Sequence, residues 1–298
     1  MKLLIIGNGF DLDLGLNTTY PNFYNYSCFS KKSKDELLPD SLEVFLKDKT
    51  EIRWADLEES MATYVRSKKG KILDSIIDSD KRFLKNLKDQ FSDFIEDNWS
   101  EITKVLYKTP IKESLAKLLI EIQNKTHCFD AIYSFNCLPY IDLPFASDTE
   151  IESLSDAINI HGSYNEFIFG IRIEDCTREE YSFLVKENQE SYPHEVAQNF
   201  KRDLMSAEDV VFFGHSLNRI DMVYFEQFFN NANKLRTITI IDRNKKSYEK
   251  IKRNITEYAI SLKELKNSCK VSFISTEEYD ARENLEKVDE LFNYLNRT

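Results

Sequence analysis

The chain opens on MKLLIIGNGFDLDLG, and this stretch restricts the fold more than any other. Lys2 to Ile6 is a short apolar run rich in Leu and Ile. It is too short to cross a bilayer and reads as a buried strand. It stops at Gly7-Asn8-Gly9, and Phe10-Asp11-Leu12-Asp13-Leu14-Gly15 follows. A strand, a glycine turn and a helix start bring backbone N–H groups close to a phosphate at the helix N-terminus. Gly7 and Gly9 carry no Cβ, so they permit a tight turn and the close approach of a ligand. Asp11 or Asp13 is placed to cap the helix. The dinucleotide fingerprint is incomplete, because Leu12 stands where a third glycine would be. A plain tight turn in an α/β domain explains the same residues.

Glycine is scarce: the 298 residues contain only seven, so each marks backbone geometry that needs it. Gly70 sits in a plain loop, whereas Gly7, Gly9, Gly15, Gly162, Gly170 and Gly214 fall in or beside the turns considered below. The net charge of −11 argues against a broad nucleic-acid surface and against attachment to anionic membrane. The apolar start ends at Ile6, so no secretory signal is expected, and no stretch has the length of a membrane helix. Cys28, Cys128, Cys137, Cys176 and Cys269 form no CxxC pair. Free thiols in the cytoplasm are expected, not disulfides or a zinc site.

Beyond the glycine turn, Pro21 fits the first turn of a short helix carrying Phe23, Tyr24 and Tyr26. Residues 31–53 are polar, with one loosely packed helix around Leu42 to Leu46. In WADLEESMATYVRS, Trp54, Leu57, Met61 and Tyr64 make one apolar helical stripe. Asp56, Glu58 and Glu59 lie off that stripe, as a solvated face or as an acidic edge that completes a pocket. Residues 79–108 repeat the pattern with Leu84, Leu87, Phe91, Phe94, Ile102 and Val105. Thr109-Pro110 starts another helix containing Leu115, Leu118, Leu119 and Ile122. Residues 21–125 therefore read as a helical insertion whose aromatic stripes are core.

From residue 129 short apolar strands alternate with helices. Strands are expected at 131–135, 157–160, 210–213, 237–241 and 270–274, with Phe167-Ile168-Phe169 as a further short one. Helices are expected at 178–187, 195–206, 219–231, 244–264 and 277–296, and residues 172–205 as a charged helical cover. The alternation implies an α/β fold: a Rossmann-like, doubly wound parallel sheet of about six strands in a single domain.

In such a sheet, ligands bind outside the carboxyl ends of the strands. Those ends read Gly7-Asn8-Gly9, Ser134-Phe135-Asn136-Cys137, His161-Gly162-Ser163, Gly214-His215-Ser216-Leu217 with Asp221 one turn on, and Asp242-Arg243-Asn244. Polar loops explain one or two of these; a shared crevice for a small molecule or nucleotide explains all five. His161 follows an apolar strand directly, as a general base or as a histidine bonded to a loop carbonyl. Asn136 can orient water or hold a ligand amide. His127 and His194 read as surface or loop residues.

The blocks LIIGNGFDLDLGL, Trp54-x-Asp56-Leu57-Glu58, IYSFNC, NIHG with FIFGI, and FFGHSLNRID together resemble the AbiH family, named for abortive infection, a bacterial defence against phage. More distantly they are similar to sirtuin-like NAD-binding domains. That similarity implies His161 as the base and Asn136 as the residue placing water and the nicotinamide ribose. It implies the loop Gly7, Asn8, Gly9, Phe10 and Asp11 on the phosphates, with Ser216 and Asp242 on the adenosine half. Ser134, Gly162, Gly214 and His215 complete the implied binding set, with NAD as substrate or ligand; Asp221, one turn after the fourth strand, joins the candidate site, and no metal is expected. This chain departs from the sirtuin pattern in Asp11, where a serine is usual, and in Cys137-Leu138 after the asparagine. It also lacks the paired-cysteine zinc module, so protein deacetylation is not expected.

Other chemistries fit less well. Gly214-His215-Ser216 is similar to the nucleophile elbow of α/β-hydrolases, but no histidine follows the serine as that fold requires. Asp11, Asp13, Asp56 and Glu58 supply carboxylates for a metal-dependent nuclease, without a spacing that assembles them. A sensor that binds a nucleotide or a phage component without turnover is the main alternative to an enzyme. The expectation is a cytoplasmic phage-defence protein that hydrolyses the N-glycosidic bond of NAD or a related nucleotide. Its expected partners are that nucleotide, a phage trigger or partner protein, and a second copy of the chain.

Overall fold

The computed structural model describes residues 1–16, 18–27, 37–47, 54–108, 114–138, 157–231, 234–259, 262–277 and 282–295. The first half runs β1 (Lys2–Ile6), α1 (Asn8–Asp13), α2 (Tyr20–Tyr26), α3 (Leu42–Lys47), α4 (Trp54–Ser67), α5 (Asp74–Lys108) and α6 (Leu115–Thr126). The second half runs β2 (Ala131–Ser134), β3 (Ala157–Asn159), α7 (His194–Ser206), β4 (Asp209–Phe213), α8 (Met222–Asn231), β5 (Thr237–Asp242), α9 (Lys245–Tyr258), α10 (Leu262–Ser268), β6 (Lys270–Ser275) and α11 (Arg282–Leu295). Short 3-10 turns stand at Tyr164–Glu166, Ile173–Asp175, Glu179–Leu184 and Lys186–Asn188.

The chain divides into two compact units. The first comprises residues 1–17, 100–160 and 195–298, and holds the sheet. Its six strands are all parallel, in the order β3-β2-β1-β4-β5-β6. The fold is therefore α/β and Rossmann-like. β1 and β4 are buried at every residue, because strands covered on both faces become continuous apolar runs. The edge strand β3 is short, and Ile158 on it is exposed. Behind β4, Phe212 packs on Phe225 and Phe229 of α8, and Phe200 of α7 meets Tyr133 of β2 at 4.7 Å. At the amino end of the sheet, buried Asp209 accepts from Tyr294 at 2.5 Å, Thr237 at 2.8 Å and Arg236 at 2.9 Å.

The second unit comprises residues 18–99 and 161–194. Phe91 of α5 is its aromatic hub, touching Phe23, Phe167 and Phe169 at 5.1–5.4 Å. Fully buried Asp80 accepts from the Leu42 N–H at 2.7 Å, Tyr64 at 2.6 Å and Tyr181 at 3.2 Å. Burial pushes the Asp80 carboxyl up, while those hydrogen bonds and the Lys68 ammonium pull it the other way. Leu57, Met61, Tyr64, Leu84, Leu87, Phe91 and Phe94 of the two expected stripes are all buried. The side chains of Trp54, Asp56, Ile102 and Val105 lie outside the described residues.

Several expectations are corrected. Phe167-Ile168-Phe169 is not a strand: its two phenyl rings pack on Phe91, and the next backbone bridge along the chain joins Ile171 to Val185. The cover is mostly 3-10 turns until α7 begins at His194. The expected helix 244–264 ends at Tyr258, and a second begins at Leu262. Thr109-Pro110 lies outside the described residues, and α6 starts later, where the Ser114 hydroxyl accepts from the Lys117 N–H. Neither Asp11 nor Asp13 caps α1, whose N-cap is Gly7, because both sit inside the helix. Asp13 instead accepts from Ser114 at 3.0 Å and from the Ala116 N–H at 2.8 Å, closing the start of α6.

Candidate functional site

The order 3-2-1-4-5-6 reverses between β1 and β4, and a crevice in a doubly wound sheet opens where the order reverses. The loops after those two strands interlock. Gly7 N–H donates to Phe213 O at 2.9 Å, Gly9 N–H to Gly214 O at 3.0 Å, and Phe10 N–H to Gly7 O at 2.9 Å. A Cβ on Gly7 would lie 2.6 Å from Gly214 O, and one on Gly214 would lie 2.3 Å from Phe10 N. Gly214 also has φ of +64°, the left-handed region that glycine adopts at no steric cost. The close approach foreseen for a ligand is thus made by a second loop of the same chain. Phe10 turns into the core against Phe213, with ring centroids 5.0 Å apart. Asn8 opens α1 half-buried, and Asp11 is buried. Burial, and after it the Asp11 charge, holds the Cys137 thiol well above its ordinary value.

The end of β2 joins the same ridge. Phe135 N–H donates to Ile6 O at 2.8 Å. The buried Ser134 hydroxyl accepts from the Asn136 N–H at 3.1 Å and so shapes the turn that presents Asn136. Phe135 then lies 4.4 Å from the His215 ring, edge to face, and Phe225 covers the ring at 5.2 Å. His215 Nδ1 accepts from the Leu217 N–H at 3.1 Å, which leaves its proton on Nε2, 3.8 Å from the Asp221 carboxylate. Asn218 donates to that carboxylate at 2.8 Å and accepts from the Asp221 N–H at 3.1 Å. Asn254 fixes Ser216 through its carbonyl at 3.0 Å. Gly214 N–H donates to Ile241 O at 2.8 Å, which ties the β4 loop to β5. There Asp242 accepts from the Arg243 N–H at 2.6 Å, and burial raises its carboxyl pKa. The first unit thus brings together Gly7, Asn8, Gly9, Phe10, Asp11, Ser134, Asn136, Gly214, His215, Ser216, Asp221 and Asp242.

The chain leaves that unit at Ile160, and His161 and Gly162 belong to the second. Gly162 has φ of +78°, and a Cβ there would lie 2.6 Å from Glu166 O. The carbonyl of His161 accepts from the Ile168 N–H at 3.0 Å, so a tight loop holds the residue. His161 is 5% exposed, and its Nε2 lies 3.4 Å from Lys186 Nζ. Lys186, 4% exposed, pairs at 2.9 Å with Glu58, 8% exposed, which also accepts from the Gly170 N–H at 3.2 Å. Glu58 is therefore no solvated face. Lys186 escaped the sequence reasoning, since it stands in a run of charges that looks solvated. Its one signal was scarce Gly170, where a Cβ would lie 2.4 Å from Leu184 O and 3.0 Å from Lys186 Cγ.

A family model described as "Bacteriophage abortive infection AbiH" matches residues 3–242. The chain belongs to the AbiH family. The AbiH match begins inside β1 and ends on Asp242, so it takes in every candidate residue of both units. No curated protein and no solved structure matches the chain. Among the described residues of this AbiH protein, no helix is long and apolar enough to cross a membrane. Nor is any group of three His, Cys, Asp or Glu side chains gathered there as metal ligands.

Proposed function

We propose that this AbiH-family chain serves abortive infection by binding a nucleotide at the carboxyl ends of its parallel strands. We further propose that it hydrolyses the N-glycosidic bond of NAD or a related nucleotide. One observation carries the reading: the strand order reverses between β1 and β4, and small polar residues line the ends of β1, β2, β4 and β5 around that point. In this reading Asn136, presented by the Ser134 turn, places the attacking water through its amide. Asp242 and Ser216 meet the adenosine half, as in the sirtuin-like pattern. His161 takes its role from its place in that pattern, as the residue that handles the proton of the attacking group.

A sensor that binds a phage component without turnover is the second reading, and one observation favours it. The N–H groups of Gly7, Gly9 and Phe10 already donate to protein carbonyls, which removes donors that a pyrophosphate would need. One experiment separates the two. Purified protein is incubated with NAD and free nicotinamide is followed, with His161→Ala alongside. Release by the wild type and not by the variant supports the hydrolase. A rise in melting temperature with NAD, without release, supports nucleotide binding without turnover. The absence of both release and a shift removes NAD as the ligand and brings the phage-component sensor forward.

A further inference from the structure

The mechanism above uses His161 but not the buried pair beside it. Lys186 Nζ lies 2.9 Å from the Glu58 carboxylate and 3.4 Å from His161 Nε2. An ammonium has three donors and no acceptor, so the imidazole nitrogen facing it must offer a lone pair. The Glu58 carboxylate, itself fixed by the Gly170 N–H at 3.2 Å, keeps Lys186 charged in a buried setting where a lone ammonium would be costly. Lys186 from the Lys186–Asn188 turn faces the ring, with Glu58 from α4 behind it, and Phe167 offers an aromatic edge at 6.2 Å.

We infer that Lys186 is a positioning residue for His161: with Glu58 behind it, its ammonium holds the imidazole neutral, with the proton on Nδ1. A second positive charge 3.4 Å from the ammonium is disfavoured, so proton uptake at Nε2 requires Lys186 to move off. This rests on the proposed role of His161 for its meaning in catalysis. The protonation state itself does not depend on that role. It gives His161 the part of a hydrogen-bond donor through Nδ1 while the pair is intact, and of a base only once the pair opens.

The test is the nitrogen NMR signature of the histidine rings in the full chain, with His161 assigned by its loss in His161→Gln. The expected result at neutral pH is a neutral ring with a bare Nε2 and a protonated Nδ1. The double variant Glu58→Gln, Lys186→Met removes both charges and keeps a carbonyl for Gly170. Its His161 should titrate at least ~1 pH unit higher than in the wild type, a tenfold gain in proton affinity. A wild-type ring protonated on Nε2, or charged at neutral pH, overturns the inference without any variant. An unchanged midpoint in the folded double variant overturns it equally. If NAD is not hydrolysed, the hydrolase reading fails alone, and the ring spectrum still decides the role of Lys186. If NAD is hydrolysed, the acid limb of the rate profile should move with the His161 midpoint.

Discussion

A Cβ placed on Gly9 would sit 2.6 Å from the Cα of Gly214, a separation that no real side chain tolerates. The loops after β1 and β4 are thus locked backbone to backbone at the centre of the sheet. Gly9→Ala and Gly214→Ala should each cost about 2–4 kcal/mol, from overpacking in both and from left-handed strain in the latter. Gly70→Ala is the control: it shares a φ of +67° but meets nothing within 4 Å. It should cost only about 1 kcal/mol. Urea unfolding of the three variants checks the ranking.

The Glu58–Lys186 pair predicts strong coupling. Removing one charge strands the other in a dry environment, so Glu58→Gln or Lys186→Met alone should cost about 3–5 kcal/mol. The double variant should cost clearly less than the sum, because nothing charged is left uncompensated. A double-mutant cycle in urea measures the difference.

His215 tests architecture against ligand contact. His215→Ala removes a ring clasped by Phe135 and Phe225 and strands the Leu217 N–H, and should cost about 2–4 kcal/mol. His215→Asn restores an acceptor for that N–H and should recover about 1 kcal/mol. If His215 only shapes the loop, nucleotide-induced stabilisation in His215→Asn should match the wild type once stability is allowed for. Thermal shifts with and without nucleotide read both effects.

Asp209 sets a pH signature. Burial alone would raise its carboxyl, but the hydrogen bonds from Tyr294, Thr237 and Arg236 outweigh burial and hold it below 3.8. A carboxyl lowered by folding stabilises the native state above its unfolded pKa, and that stability is lost as pH falls through the folded value. Wild type should therefore exceed Asp209→Asn by about 1–2 kcal/mol at neutral pH, the two converging as pH falls through the lowered folded value. Asp13, Asp80 and Asp242, raised by burial, bend both curves alike and drop out of the difference.

Much of this was legible in the chain. β1, β4 and β5 are apolar runs flanked by polar turns, and their limits differ from the sequence reading by a residue at most. The glycines announced that something approaches the backbone at residues 7 and 9. They did not say what, because the approaching group is Gly214, a distant segment that local pattern cannot reach. The same holds for Lys186 and Glu58, where each charge looks solvated until the other is beside it. FIF failed for another reason: alternating aromatics satisfy a strand, but here Phe91 takes up both rings, and that packing outweighs the local period.

The placement of β1 has a consequence for synthesis. It is made before the other five strands, yet its two neighbours are Ala131–Ser134 and Asp209–Phe213. At bacterial elongation speeds of about 5–20 residues per second, roughly 10–40 s pass before the second neighbour exists. Until then the first strand has an open edge and the point of reversal has not formed. Any chemistry seated there therefore waits until the Asp209–Phe213 segment has been made.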